Sequence, residues 1–256
     1  LPIANVAEVS LTSPNRRNGF PWDTQLSPER ASVTGSKNGN FATLLSILKP
    51  GREIFKITLQ LPIAEVEPIF SAANSKKVDE MIALIDSTEL NAVVIDTKDY
   101  TGNILYPSQV PLVTQLKTSR SVMTDVPALL KKLHDKKIYV IARQTVFQDP
   151  TLATAKPDWA IKSKNGGLWR DNLKLAWVDP TKREVWDYNV AIAKESIALG
   201  FDEINFDYVR FPTDGDLSTA VFSTTTKHRY DNMAEFYKYV SAALADEPAY
   251  ISVDFF

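Results

Sequence analysis

The chain has 256 residues, of which 44% are hydrophobic and 10% aromatic, which is enough apolar surface for a sizeable core and excludes global disorder. Its 29 Lys and Arg residues nearly balance 31 Asp and Glu residues, for a formal net charge of −2, so no nucleic-acid partner is expected. Cysteine is absent and no apolar run approaches about 18 residues, so neither thiol chemistry nor a membrane-spanning segment is expected.

Residues 1–50 differ in composition from the rest of the chain. Segments 11–20 and 32–40 are polar and rich in turn-forming residues, with no sustained strand or helix periodicity. We therefore predict an N-terminal arm or linker over residues 1–50 and a folded domain over residues 51–256. The chain begins with Leu1 rather than Met, which we interpret as a processed N-terminus.

From residue 51 onward, short apolar runs alternate with amphipathic stretches. Strands are predicted at residues 54–61, 92–96, 136–143, 201–208 and 249–254. Helices are predicted between them, at residues 75–85, 124–136, 180–199 and 229–245. The third of these helices is expected to have Asp179 as its N-cap and to end at Gly200. This order predicts an α/β fold with right-handed βαβ units and a parallel sheet, of the (β/α) barrel type known from TIM barrels.

Polar residues recur on one face of these strands. Because residues i and i+2 of a strand share a face, the inner face of the sheet is predicted to carry Val94, Asp96 and Lys98, then Tyr139, Ile141 and Arg143, then Glu203, Asn205 and Asp207, and finally Ser252 and Asp254. Four consecutive strands thus end in an ionisable residue at the same edge. In parallel barrels that edge builds the active site, and buried charge is costly without a purpose.

The loops at this edge are long. About 25 residues follow Asp99 and about 34 follow Gln144, against the usual 2–6 residues of a βα loop. In the longer loop, Asn165-Gly166 predicts a tight turn. The same loop carries three tryptophans, which either stack on sugar rings as exposed indoles or form a small core of the loop; they are Trp159, Trp169 and Trp177.

Five motifs occur in an order and spacing that resemble a known family. They are the segments 91–102, 141–150, 177–180, 186–188 and, most distinctively, Gly200-Phe-Asp-Glu-Ile-Asn-Phe-Asp-Tyr-Val-Arg-Phe-Pro212. Over about residues 53–256 the chain resembles the DUF4015 family of glycoside hydrolases. The resemblance implies a TIM barrel related to α-amylase-type hydrolases, activity on glycosidic bonds, a carbohydrate as partner, and an extracellular or cell-envelope location.

The resemblance also implies roles for individual residues. It makes Asp207 the carboxylate at the end of strand four and Asp254 the acid/base at the end of strand five. Glycoside hydrolysis needs two such carboxyl groups, so we expect Asp207 as nucleophile and Asp254, Asp96 or Asp99 as general acid. Further contacts to substrate are expected from Lys98, Asp99, Arg143, Asn205, Tyr208, Arg210, Trp169 and Trp177. In an alternative interpretation, Asp207 and Arg210 only form an ion pair that closes the strand end.

Other chemistries stay open at this point. A zinc site is not expected because His134 and His228 lie in or beside predicted helices, whereas Asp96 and Asp99 suit a Mg²⁺ or Ca²⁺ site. Lys98 as a Schiff-base lysine would indicate an aldolase. A barrel that binds sugar without turnover is the non-enzymatic alternative. No phosphate-binding loop or dinucleotide motif is found, and neither a cofactor nor a metal is expected.

Only five strands and four helices are predicted, although the chain length would suit a complete eight-stranded barrel. We therefore expect a partial barrel whose C-terminal part is missing. Its last strand would then present an open edge, which is prone to self-association with another chain.

Overall fold

The computed structural model describes residues 47–49, 52–54, 56–58, 75–88 and 90–254. The strands are β1 (Ile47–Lys49), β2 (Arg52–Ile54), β3 (Lys56–Thr58), β4 (Ala92–Lys98), β5 (Tyr139–Thr145), β6 (Lys162–Ser163), β7 (Glu203–Asp207), β8 (Ala220–Val221) and β9 (Tyr250–Val253). The helices are α1 (Ser75–Asp86), α2 (Pro111–Leu116), α3 (Val126–Asp135), α4 (Pro150–Ala155), α5 (Arg183–Leu199) and α6 (Thr226–Ala243).

Five strands form the central sheet in the order β3-β4-β5-β7-β9. Every neighbouring pair is parallel, because a long connection that includes at least one helix returns the chain to the same edge each time. The α/β class and the five parallel strands of the prediction are confirmed. The short pairs β1–β2 and β6–β8 are antiparallel and lie outside this sheet.

Local sequence signals explain where the helices begin and end. The Asp125 side chain accepts a hydrogen bond from the Ala128 N–H at 3.0 Å and so caps α3, which carries Pro127 in its first turn. Gly200 ends α5 as predicted, in the left-handed region at φ 111°. The predicted start of α5 is wrong by three residues, because Asp179 instead closes a turn by accepting from the Thr181 N–H at 2.9 Å.

Two predicted segments fall largely outside the described residues. Of the expected N-terminal arm, only β1 is described. The strand expected at 54–61 is represented by the end of β2 and by β3, whereas residues 59–74 are not described. Self-association through the edge strand β9 stays a prediction.

The helices cover the outer face of the sheet and bury it. β7 is buried along its whole length, as expected for a parallel strand with both faces covered. Phe236 of α6 joins the end of β5 to α5, since its ring lies 5.0 Å from that of Phe147 and 5.6 Å from that of Trp186. None of the helices in the described ranges combines the length and the hydropathy needed to cross a membrane.

Candidate functional site

The inner face of the sheet aligns four polar residues across four strands. Asp96 pairs with Arg143, Arg143 with Asn205, and Asn205 with Ser252 in the strand register. Paired residues of parallel strands point to the same side of the sheet. The predicted inner face is therefore confirmed for these positions, and it places their side chains side by side at the carboxyl edge.

Arg143 bridges two carboxylates that belong to strands on either side of it. Its Nη1 lies 2.9 Å from Asp96 Oδ1, and its Nη2 contacts Asp207 Oδ2. Because β4 and β7 are separated by β5, their backbones lie about 10 Å apart, and the guanidinium fills that space. Burial alone would lower the pKa of Arg143, but the two carboxylates outweigh it and raise the pKa, so the guanidinium stays charged.

Asp207 is almost fully enclosed at the end of β7, with 1% of its surface exposed. Its Oδ1 accepts from the Tyr208 N–H at 2.6 Å, while Oδ2 contacts Arg143. Tyr208 itself adopts a left-handed conformation at φ 54°, which is unusual for a bulky residue and marks a functional or strained position. Two donors therefore fix the Asp207 carboxylate in one orientation.

Asp96 differs from Asp207 in its electrostatic surroundings. Burial raises the pKa of Asp96, and Asp99 and Asp207 raise it further, while Arg143 opposes this shift without cancelling it. Asp96 therefore takes up a proton at higher pH than an exposed aspartate does.

Asp254 directly follows β9 and lies next to Asp207. The pairing of Phe206 with Val253 places the two aspartates opposite each other on neighbouring strands, whose backbones are about 4.8 Å apart. Asn205 Nδ2 donates to Asp254 Oδ1 at 3.2 Å. The pair of carboxyl-bearing strand ends that the sequence predicted is thus brought together.

Tyr139 and Glu203 lie on the same inner face, closer to the amino ends of their strands, and form further hydrogen bonds there. Neither was predicted from the sequence to be a site residue. Glu203 Oε2 accepts from the Tyr139 hydroxyl at 3.0 Å, and Oε1 accepts from Ser252 Oγ at 2.6 Å. The alternation of β5 and β7 already placed both residues on the inner face, so a tyrosine and a glutamate in neighbouring strands were the signal that could have identified them.

Lys98 does not share a face with Asp96, and that expectation is wrong. A bulge shifts the register so that Lys98 pairs with Gln144, which turns the lysine to the outer side of the sheet. There its Nζ lies 2.7 Å from Asp149 Oδ2, and both side chains are 0% exposed. Nζ also donates to Asn189 Oδ1 at 3.1 Å. A lysine enclosed in this ion pair does not line the inner face, so the aldolase alternative loses its support.

Asp149 and Asn189 were not among the residues predicted from the sequence to form the site. Asp149 precedes Pro150 and caps α4 by accepting from the Leu152 N–H at 2.7 Å, so the Asp-Pro pair was a usable signal for a helix start. No local pattern marks Asn189, which lies inside α5 and is recognisable only from its contacts with Lys98 and Gln144.

Asp99 organises a turn beyond the end of β4. Its Oδ1 accepts from the Thr101 N–H at 2.8 Å and from the Asn103 N–H at 3.2 Å, so this oxygen is occupied by the protein itself. Within the described ranges, no three His, Cys, Asp or Glu side chains are grouped so that they would hold a metal ion. The two-carboxylate alternative with Asp96 and Asp99 has no third ligand of these types.

The tryptophans of the long loop are not exposed as a group. Trp169 and Trp177 are 2% and 1% exposed, so the expectation of exposed indoles is wrong for these two and the alternative of a small core is confirmed. Trp169 Nε1 donates to the Asp216 carbonyl at 3.0 Å, and Trp177 Nε1 donates to Asp171 Oδ2 at 2.9 Å. They hold the loop in place behind the strand ends.

Arg210 stacks on aromatic rings beside the site. Its guanidinium lies 5.3 Å from the ring centres of both Trp177 and Tyr208, and its Nη1 donates to Thr213 Oγ1 at 2.7 Å. The cation that pairs with Asp207 is Arg143, so the alternative interpretation, an ion pair of Asp207 with Arg210, is not the one that the structure forms.

Known proteins support the same interpretation of the fold. A hypothetical protein from Ruminiclostridium thermocellum is 36% identical, with a TM-score of 0.67, over 78% of this chain and 96% of that one. An α-L-fucosidase isoenzyme from Paenibacillus thiaminolyticus shares the fold at 16% identity and a TM-score of 0.51, over 78% of this chain and 32% of that one. No curated protein sequence matches.

The sequence pattern of one family matches residues 68–256. This match spans well over half of the chain, and it includes all the strand ends that carry the carboxylates described above. The chain therefore belongs to the DUF4015 family, described as "putative glycosyl hydrolase domain".

Proposed function

We propose that this protein is a glycoside hydrolase that cleaves a poly- or oligosaccharide with a pair of carboxylates at the ends of β7 and β9. One observation carries the proposal: Asp207 and Asp254 directly follow the paired residues Phe206 and Val253 at the carboxyl edge of a parallel sheet, where the Asp254 N–H donates to the Phe206 carbonyl at 3.0 Å. Membership of the family agrees with this reaction class. Two carboxyl groups on either side of a scissile bond are the minimum equipment for glycoside hydrolysis.

In the proposed mechanism, Asp207 is the nucleophile. Its contact with Arg143 and the Tyr208 N–H orients the carboxylate, and each oxygen keeps a further lone pair. One oxygen forms a bond to the anomeric carbon while the glycosidic C–O bond breaks, and Asp254 gives its proton to the departing oxygen. Water then cleaves the glycosyl ester, and Asp254 takes back a proton from it.

Asp96 is the second candidate for the general acid. The observation that favours it is the raised pKa caused by its burial, since a general acid must be protonated near the working pH. Against it stands the hydrogen bond from Arg143 at 2.9 Å, which favours the ionised form. Variants of Asp96 and Asp254 separate the two assignments.

The remaining predicted site residues divide into two groups. We assign Asn205, Tyr208 and Arg210 to sugar hydroxyl contacts, because they are polar and lie beside the carboxylates. The second group has a structural role, because the polar atoms of its members bind other parts of the chain; it consists of Lys98, Asp99, Trp169 and Trp177. The buried indoles also weaken the alternative of a non-catalytic sugar-binding barrel, which would need an exposed aromatic platform.

The test is hydrolysis of a panel of polysaccharides and aryl glycosides by the purified protein. We expect Asp207→Asn to reduce kcat by at least about 10³-fold while the circular dichroism spectrum stays unchanged. Asp158→Asn is the matched control, because Asp158 is an exposed aspartate in the short 3-10 helix Pro157–Trp159. Azide should restore turnover of an aryl glycoside by Asp207→Gly and yield a glycosyl azide. Full activity of Asp207→Asn would refute the proposed nucleophile.

A further inference from the structure

A chain of hydrogen bonds connects the buried Glu203 with the proposed acid/base Asp254. Ser252 Oγ donates to Glu203 Oε1 at 2.6 Å. Asn205 Nδ2 donates to Ser252 Oγ at 3.1 Å and to Asp254 Oδ1 at 3.2 Å. This chain of hydrogen bonds therefore crosses three times between β7 and the segment of β9 and Asp254, and it ends at the carboxyl edge.

The donor and acceptor properties of these residues permit only one orientation of the Ser252 hydroxyl and one of the Asn205 amide. A carboxylate only accepts hydrogen bonds, so the Ser252 hydroxyl proton must face Glu203. The Ser252 oxygen then faces Asn205 as an acceptor, and the ionised Asp254 is an acceptor as well. Only the NH₂ half of the Asn205 amide satisfies both, so a 180° flip of this amide would lose two hydrogen bonds at once.

Glu203 is itself held firmly as the anionic end of the chain. It is 4% exposed, and the Tyr139 hydroxyl donates to its Oε2 at 3.0 Å. Burial and the negative charge of Glu203 raise the pKa of Tyr139 far above its usual value, so this hydroxyl keeps its proton and remains a donor. Each oxygen of Glu203 thus faces a hydroxyl that donates to it.

We infer that Glu203 is a positioning residue, which acts through Ser252 to lock the Asn205 amide with its N–H groups toward Asp254. A locked donor stabilises the ionised form of Asp254, and it offers no acceptor to the protonated form. These linked hydrogen bonds therefore set the pH at which Asp254 takes up its proton. The orientation rests on geometry alone, whereas its catalytic consequence rests on the proposed function.

Other charged groups also face this edge of the sheet. Asp207 occupies the next position on β7, and Arg143 and Asp96 follow on β5 and β4. All three are unchanged when Ser252 is replaced, so a difference in the titration of Asp254 between Ser252 variants reports on the hydrogen bonds. Replacing Glu203 also removes a negative charge, and this direct effect must be measured separately.

The test compares Ser252→Ala and Glu203→Met with the matched control Ser252→Thr, which keeps the hydroxyl. The pKa of Asp254 is followed by carbon-13 NMR of its carboxyl group, whose signal is identified by its loss in Asp254→Asn. Ser252→Ala removes the acceptor that holds the amide, so we expect the pKa of Asp254 to rise by about 0.5–1 pH unit, as the loss of one hydrogen bond predicts. Glu203→Met removes the acceptor of the serine hydroxyl but also a negative charge, whose loss alone lowers the pKa of Asp254. The same change made in the Ser252→Ala protein measures that direct effect of charge, and with Ser252 present the pKa should lie about 0.5–1 pH unit higher than the direct effect predicts.

Ser252→Thr should leave the pKa of Asp254 where it is in the unmodified protein. An unchanged pKa in Ser252→Ala, an equal rise in the threonine control, or the same shift from Glu203→Met with and without Ser252 would overturn the inference. With a hydrolysed substrate, the basic limb of kcat/KM should move to higher pH by the same amount, with little change in KM. The NMR titration needs no turnover, so it stands even if no substrate is cleaved and the proposed function fails.

Discussion

The buried pair of Lys98 and Asp149 makes a quantitative prediction about stability. Both side chains are 0% exposed and their charged atoms lie 2.7 Å apart. Lys98→Met removes the cation and leaves Asp149 enclosed without a counter-charge, which typically costs about 3–5 kcal/mol. We expect a loss of this size in the free energy of unfolding near pH 7, measured by urea denaturation followed by circular dichroism.

The loss should depend on pH with a definite sign. Burial raises the pKa of Asp149, while Lys98 and the Leu152 N–H act against that shift. Removing Lys98 raises the pKa further, so the folded variant binds a proton that the unfolded chain releases above about pH 4. The destabilisation of Lys98→Met relative to the unmodified protein should therefore grow as pH rises from the raised pKa that Asp149 has beside Lys98 toward its new, higher pKa in the variant.

A double variant and a surface pair complete the design. Lys98→Met with Asp149→Asn leaves no net charge in the interior and keeps an oxygen to cap α4, so it should recover at least half of the lost free energy. In the exposed pair of Lys131 and Asp135, at 2.6 Å, Lys131→Met should cost less than about 0.5 kcal/mol. A cost below about 1 kcal/mol for Lys98→Met, or strict additivity in the double variant, would refute the reasoning.

Three further variants test other parts of the fold. Gly102→Ala should lower the melting temperature by several degrees, roughly 1–3 kcal/mol, because a Cβ there would lie 1.8 Å from Asp149 Oδ1 and Gly102 has φ +82°; an unchanged thermal scan would contradict this packing. Gly200→Ala should lower the free energy of unfolding by about 1 kcal/mol in urea denaturation. The cause is the backbone conformation of φ +111°, because the added Cβ would have ordinary contact distances, 3.6 Å to Leu130. Asp96→Asn should remove the decline in stability that ionisation of a buried carboxyl causes as pH rises above about 4; urea midpoints across pH that fall as in the unmodified protein would exclude Asp96 as the source.

Much of the fold was predictable because its signals are local. The apolar runs around Val94 and Phe206, the capping residue Asp125 and the terminating Gly200 each determine structure within a few residues. Strand alternation was sufficient to place Asp96, Arg143, Asn205 and Asp254 on one face. These patterns need no knowledge of the partner segment.

The rest depended on contacts between distant segments. The bulge beside Lys98 follows from its burial against Asp149 and Asn189, residues 51 and 91 positions later in the chain, and period-two alternation does not reveal it. The burial of Trp177 similarly depends on Asp171 and on packing within the loop. An indole in a polar loop suits exposure or burial equally until that packing is known.

The single extra residue in β4 determines which face of the sheet receives a positive charge. In a regular strand, Lys98 would pair with Thr145 and point to the same side as Asp96 and Asp207. Because of the bulge, the ammonium group of Lys98 points to the opposite, outer side of the sheet. Among the described residues, Arg143 is then the cation that bridges those two carboxylates. A less neutralised carboxylate edge attracts positive charge, and the oxocarbenium-like transition state of glycoside cleavage carries positive charge. One inserted residue in a strand thus separates the buried structural cation Lys98 from the carboxylates to which the proposed function assigns catalysis.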